Sequence, residues 1–196
     1  MHEKINKAKD KQNDRVEKTL KLHIPTPRGA DLIPRRQKTL PRITPFLWFD
    51  DKAEEAANFY VSVFKNSKIG SIARYSDAGS GPKGSVMTVS FELEGQPFIA
   101  LNGGPLYTFS PAISFFVDCK TQQEVDELWD KLTAGGGEVE CGWLRDKYGL
   151  SWQIIPTALL ELMQDKDPVK SQRVFKAMLQ MTKIDIEGLQ RAYRGE

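Results

Sequence analysis

The stretch from residue 77 to residue 93 reads DAGSGPKGSVMTVSFEL. It decides whether the glycines connect a strand to a helix, as in a phosphate-binding loop, or connect two strands. Its glycines have the G-x-G-x-x-G spacing of a phosphate-binding loop, which works only where a strand enters the glycines and a helix leaves them. Here residues 85–93 alternate with period two, as a strand does, and Pro82 has no amide proton to donate. The stretch therefore predicts a hairpin loop between two strands and excludes a nucleotide fingerprint.

The residues before and after this loop predict one structural unit. ITPFLWF (43–49) has the length and residue types of a strand, and Asp50 and Asp51 are typical helix-start residues. Apolar side chains then recur at helical spacing up to Phe64. KIGSIARY is the next predicted strand, and a turn at Glu94-Gly95 leads from the strand after the loop into QPFIALN.

A second unit follows with the same order of elements. AISFFVD (112–118) is a predicted strand, residues 121–132 are a predicted helix, and three glycines from residue 135 end that helix as a C-cap would. EVECGWL and LSWQIIP are the further predicted strands. The order repeats after about 70 residues, so we expect an α+β fold of two βαβββ modules, residues 43–103 and 111–156, each covering the other's open sheet face.

The two ends of the chain differ from this central domain of residues 42–160. Residues 161–196 are predicted to be helices that pack on the domain or on a dimer partner. Thr157 is the predicted cap of the helix ALLELMQ, and Asp167-Pro168 is the predicted start of another helix. Residues 1–42 carry twelve Lys and Arg against five Asp and Glu, and few large apolar residues. Such a segment buries too little apolar surface to offset its ordering entropy, so residues 1–41 are predicted to be a basic, flexible extension.

Composition excludes several classes of protein. No apolar run reaches the roughly 18 residues of a membrane span. The two cysteines, Cys119 and Cys141, in a chain without an apolar leader indicate a reduced, cytoplasmic protein. The basic extension has no interleaved aromatic side chains for base stacking, so nucleic acid is not an expected partner.

Four segments resemble one known family: ITPFLWFDDKAEEAANFYVSVFKNSKI, GPKGSVMTVSFELEGQPFIALNGGP, PAISFFVDCKTQQEVDELWDKL and CGWLRDKYGLSWQIIP. They are similar to the PhnB-like branch, labelled 3-demethylubiquinone-9 3-methyltransferase, of the vicinal-oxygen-chelate superfamily that includes glyoxalases, bleomycin-resistance proteins and dioxygenases. The resemblance implies a glyoxalase-like cupped sheet. It also implies a homodimer, because this superfamily commonly completes its cups across subunits.

The resemblance implies positions for metal ligands, and this sequence departs from them. Enzymes of the superfamily hold a divalent ion with His, Glu or Gln on the first and last strands of each unit. By position, these ligands fall near Thr44 or Pro45, near Ala100 or Asn102, on Ala112 and on Gln153. A stable transition-metal site needs three or four imidazole, carboxylate or thiolate donors. We therefore expect no metal and no other cofactor, and the hairpin loop offers no methyl-donor site.

The cup itself remains a candidate binding site for a small organic molecule. Aromatic and polar strand residues suit a flat, partly apolar ligand. Because side chains alternate along a strand, half of the candidates should instead pack under a helix; in particular, Gln153 and Trp152 should face opposite ways. The candidates are Trp48, Phe91, Asn102, Ser114, Trp143 and Gln153, together with Cys141, which is predicted to be structural because no histidine is available to activate it.

Two functions follow from the sequence, and the quinone methyltransferase activity of the family label is a third, less favoured alternative. The first is a metal-independent protein that binds a small molecule in the cup, and the sequence leaves open whether it catalyses a reaction. The second is a non-catalytic, dimeric interaction module whose cup is filled by its own side chains. The two differ in whether the cup is open, which the sequence does not decide.

Overall fold

The computed structural model describes residues 40–79 and 81–196, and these form two compact units that meet between Tyr107 and Thr108. The first unit is a four-stranded sheet with one helix. Its strand order is β1-β4-β3-β2, with β1 parallel to β4 and the other pairs antiparallel. Its elements are β1 (Phe46–Phe49), α1 (Ala53–Val63), β2 (Lys68–Arg74), β3 (Val86–Leu93) and β4 (Gln96–Asn102).

The second unit repeats this topology, with strand order β5-β8-β7-β6 and β5 parallel to β8. The predicted α+β fold of two repeated modules is confirmed, whereas the expected packing of each module over the other's sheet stays a prediction. Three helices follow the last strand. The elements are β5 (Ser114–Cys119), α2 (Gln122–Thr133), β6 (Gly137–Glu138), β7 (Trp143–Arg145), β8 (Ser151–Pro156), α3 (Thr157–Met163), α4 (Pro168–Met178) and α5 (Ile186–Arg194). The predicted basic extension lies, up to residue 39, outside the described residues.

The glycine-rich stretch joins β2 to β3, which pair antiparallel. The glycines are needed because the loop closes around the ring of Tyr75: a Cβ on Gly79 or Gly81 would lie 2.7 or 2.5 Å from ring atoms. The backbone amide of Tyr75 also donates to the carbonyl of Ser85 (2.9 Å). The predicted hairpin loop is confirmed, and its glycines provide space for an aromatic ring.

One face of the first sheet packs against α1. Val89, Phe91 and Leu93 alternate along β3 as buried residues, and Phe91 lies between Tyr60 of α1 and Phe98 of β4, with ring centroids 6.2 and 5.2 Å away. Burial of each such side chain stabilises the fold by about 1.5–3 kcal/mol.

The start of α1 differs from the prediction. Asp50 and Asp51 do not cap the helix, and the N-cap residue, Lys52, makes no side-chain capping bond. The first free amide of the helix, on Ala53, instead donates to Oδ1 of Asn102 at 2.7 Å. A residue distant in the sequence therefore satisfies a donor that a local cap usually satisfies.

The segment EVECGWL is not one strand, as predicted, but a hairpin between β6 and β7. Cys141 and Gly142 both have positive φ (60° and 80°), which bends the chain back and pairs Glu138 with Leu144. Such a φ is rare for a non-glycine residue, so Cys141 gave no sequence signal for a turn. The three glycines after α2 do end that helix as predicted, with Gly135 at φ 76°.

The C-terminal helices pack on their own unit. Their apolar core consists of Ile155, Leu159, Val174, Ile184 and Leu189. Asp167 caps α4 as predicted, but Thr157 is the first residue of α3 rather than its cap. On α4, Val174 is fully buried, whereas Phe175 and Leu179 are 43% and 45% exposed.

Candidate functional site

The second sheet has a face that α2 leaves uncovered, here called the uncovered face; the C-terminal helices cover it only at the end that carries Ile155. Strand register places Phe116, Gln153 and Trp143 side by side on β5, β8 and β7. At about 4.8 Å between strands, this row spans roughly 10 Å. Phe116 is 49% exposed, and the other two side chains are half-buried. An amide thus lies between two aromatic rings on one surface.

The opposite face of the same sheet is closed. Trp152 is buried against Phe115, with ring centroids 5.4 Å apart, and its indole Nε1 donates to Oδ2 of Asp146 at 2.9 Å. Oδ1 of the same buried carboxylate accepts from the backbone amides of Tyr148 and Leu150. The expected opposite orientation of Trp152 and Gln153 is therefore what the structure shows, because alternation along β8 separates a core residue from a surface residue.

The four tryptophans differ in what their indole N–H groups bind. Trp48 donates to the carbonyl of Gly104 (2.8 Å), Trp129 donates to Oε1 of Glu138 (2.8 Å), and Trp152 donates to Asp146. Trp143 donates to no residue in the described parts of the chain. A half-buried indole N–H without a protein acceptor is a ready donor for a ligand or for water.

The neighbours of Trp143 on the uncovered face add further polar groups. Nε2 of Gln153 donates to Oγ of Ser114 at 2.8 Å, which fixes the amide and leaves its carbonyl oxygen directed away from that bond. Arg145 follows Trp143 by two residues, so the two share a face, and its side chain is exposed. Arg145 is not among the candidates predicted from the sequence, although its position two residues after a candidate tryptophan on a strand was a usable signal.

The candidates in the first unit lie on both faces of their sheet. Trp48 is on the face away from α1, where its ring contacts Tyr107 edge-on at 5.0 Å. The predicted cup positions of Phe91 and Asn102 are wrong, because both side chains lie on the helix-covered face. Both ends of the Asn102 amide are used there: Oδ1 accepts from the Ala53 amide at 2.7 Å, and Nδ2 donates to the carbonyl of Val86 at 3.1 Å.

The first unit also has a groove of about 250 Å³ on the face away from α1, between Leu40 and the strands β2 to β4. Its charged side chains, Lys68 and Glu92, pair with each other at 3.5 Å. The hydroxyl of Ser90 is bound to Ser71. These internal pairings leave the groove with less free hydrogen-bonding capacity than the uncovered face of the second sheet.

The cysteines have no nucleophilic setting. Burial raises the pKa of the Cys119 thiol to about 12, so it stays protonated at neutral pH. Cys141 lies in the β6–β7 turn rather than in a strand, and its backbone amide donates to the carbonyl of Met181 at 2.7 Å. This turn connects the second sheet to the C-terminal helices, which supports a structural role for Cys141.

The metal-ligand positions implied by the superfamily do not form a donor set. Ala100 and Asn102 lie on the helix-covered face of the first sheet, and Ala112 has only a methyl group. Gln153 offers a neutral amide whose Nε2 already donates to Ser114. No group of three or more His, Cys, Asp or Glu side chains in residues 40–79 and 81–196 is arranged to hold a metal. The residues present therefore do not fit the superfamily's metal.

None of the helices in residues 40–79 and 81–196 has both the length and the apolar character needed to cross a bilayer.

Comparison with known proteins identifies the family. The family model for 3-demethylubiquinone-9 3-methyltransferase matches residues 41–155. The chain is 42% identical to the PhnB protein from Bacillus cereus, over 58% of this chain and 97% of that one, with a TM-score of 0.54. A Staphylococcus aureus protein is 34% identical over 59% and 95% of the two chains, with a TM-score of 0.29.

A more distant similarity is to a glyoxylase/bleomycin resistance protein/dioxygenase domain from Frankia, which is 16% identical over 58% and 95% of the two chains, with a TM-score of 0.39. No curated protein matches the chain. The match over more than half of the chain and the similarity to PhnB lead to one conclusion: the chain belongs to the PhnB-like 3-demethylubiquinone-9 3-methyltransferase family.

Proposed function

We propose that the protein binds a small, flat organic molecule on the uncovered face of its second sheet, without a metal. The observation that carries this proposal is the indole N–H of Trp143, which alone among the four tryptophans has no acceptor in the described residues. A ligand carbonyl or hydroxyl would accept from this N–H. The rings of Trp143 and Phe116 would contact the flat body of the ligand.

The second polar anchor of the proposed site is the carbonyl oxygen of Gln153. Its amide is oriented by the bond from Nε2 to Ser114, so the oxygen is available to a ligand donor at a fixed position. A preorganised anchor reduces the entropy lost on binding. One donor and one acceptor beside two aromatic rings favour a phenolic or quinone-like compound over an aliphatic one.

The indole N–H resonances give a direct test. In a proton–nitrogen correlation spectrum, each tryptophan gives one indole peak, and Trp143→Phe identifies the Trp143 peak. Titration with a panel of phenols, quinones and aromatic ketones should shift this peak, whereas the peak of Trp129, which is bonded to Glu138, should stay in place. If no compound shifts the Trp143 peak, the proposed site is wrong.

A second candidate function is a homodimeric interaction module. It is favoured by the exposed pair Phe175 and Leu179, which are four residues apart and therefore neighbours on one surface of the α4 end. A second copy of the chain would bury this pair. Light scattering should then give twice the chain mass of 22.2 kDa, and a double Phe175→Ser, Leu179→Ser variant should give a monomer. A monomeric wild-type protein would contradict this function.

A further inference from the structure

The second sheet carries an unpaired positive charge beside the proposed site. Register places Arg145 of β7 opposite Ser151 of β8, two pairs along from the pairing of Trp143 with Gln153 and therefore on the same face. The Arg145 side chain is exposed and forms no ion pair or hydrogen bond with any side chain in residues 40–79 and 81–196. A guanidinium thus lies on the same face as the free indole N–H.

The acidic residue on this face does not neutralise that charge. Asp118 of β5 already binds Lys120 and accepts from the Thr157 hydroxyl at 2.6 Å. The hydrogen bond from Lys120 is the main reason that the pKa of the Asp118 carboxyl is lowered, so it is ionised and paired at neutral pH. Asp118 is therefore not available to Arg145 as an ion-pair partner.

We propose that the ligand of this site is an aromatic carboxylate, with its acidic group on Arg145 and its ring beside Trp143. This inference rests on the proposed function of the same face. Residues 143 and 145 are about 7 Å apart along the strand, which is the scale of one or two fused rings. A planar guanidinium binds a carboxylate through two parallel hydrogen bonds, and one guanidinium balances one negative charge.

The test uses two probes of the same shape, one an anionic carboxylate and the other a neutral amide. Isothermal titration calorimetry with 6-hydroxy-2-naphthoate and with its neutral analogue 6-hydroxy-2-naphthamide should show tighter binding of the carboxylate by wild-type protein. Arg145→Gln should weaken carboxylate binding about tenfold, the loss expected for a hydrogen bond to a charged group, and leave amide binding unchanged. Arg145→Lys keeps the charge but not the two parallel bonds, so its affinity for the carboxylate should lie between those of wild type and Arg145→Gln.

Arg42→Gln is the matched control, because it removes the same charge from an exposed arginine of the first unit. It should change neither affinity by more than about twofold, because Arg42 is not among the residues of the proposed site and exposed charges are screened by salt. Equal binding of both probes to wild type and to Arg145→Gln would overturn the carboxylate assignment and leave the binding face intact. If neither probe binds and the Trp143 peak does not move with any compound, both proposals fall.

Discussion

The two units of the molecule have the same strand order but use equivalent rows of side chains differently. In the first unit, Phe46 pairs with Ile99 and Ile99 with Ser90, whose hydroxyl is bound to Ser71. In the second unit, Phe116 pairs with Gln153 and Gln153 with Trp143, whose N–H has no acceptor in the described residues. Repetition therefore conserves the architecture, while the polar groups that can bind a ligand are concentrated in one copy.

The largest expected effect is a difference in stability loss between substitutions on the two faces of the second sheet. Trp152→Phe removes a buried donor from the Asp146 carboxylate, and hydrogen bonds to charged groups are worth about 1.5–3 kcal/mol, so we expect a loss of about 2 kcal/mol. Trp143→Phe should cost less than about 0.5 kcal/mol, because its N–H is not used by the fold. Urea unfolding of both variants measures this difference, and equal losses would show that Trp143 is also a core residue.

The next largest effect is a difference in stability loss between substitutions of two amide side chains, Asn102 of the first unit and Gln153 of the second. Asn102→Ala removes the acceptor for the Ala53 amide and the donor to Val86, and it should destabilise the protein by about 1.5 kcal/mol. Gln153→Ala should change stability by less than about 0.5 kcal/mol but weaken ligand binding. Asn102→Asp, which keeps only the acceptor, should lie between Asn102→Ala and wild type. A larger stability loss for Gln153→Ala than for Asn102→Ala would reverse the assigned roles.

A smaller effect concerns the C-terminal helices, which only the second unit has. Asp126 of α2 pairs with Lys183 at 2.8 Å, and this hydrogen bond lowers the pKa of the Asp126 carboxyl in the folded state. A lowered folded-state pKa stabilises the protein above the unfolded pKa of about 4, and this stability is lost as pH falls through the folded pKa.

Because both side chains are more than one-third exposed, the pair should contribute about 0.5 kcal/mol. Asp126→Asn should remove that amount at pH 7 and nothing at pH 2, as measured by urea unfolding at both pH values. If the difference in unfolding free energy between Asp126→Asn and wild type were the same at pH 7 and pH 2, the ion pair would not be its cause.

No effect at all is expected from metals. Purified, tag-free protein should carry well under one equivalent of zinc, nickel, iron or manganese by elemental analysis. Addition of each ion should leave the melting temperature unchanged, because a ligand that binds only the native state must raise it. A stoichiometric metal would show that Gln153 and its neighbours form a donor set after all.

Much of the fold could be predicted because it depends on local pattern. Alternation over residues 85–93 identified β3 and excluded a nucleotide loop, and the repeated element order identified two modules. The turn at Cys141 could not be predicted, since positive φ there is stabilised by contacts with Met181 and Thr182, about 40 residues away. The missing local cap of α1 has the same cause, because Asn102 of β4 replaces it.

The sequence by itself determined the fold class, the family and the chemical inventory of the candidate site, because these depend on period, residue type and order. Tertiary structure alone decided which candidates share a face. Strand register put Trp143 beside Gln153, added Arg145 and placed Phe91 and Asn102 under α1. The physical reason is that side chains alternate with a period of two, so a shift of one residue moves a side chain from a surface that can bind a ligand into the core.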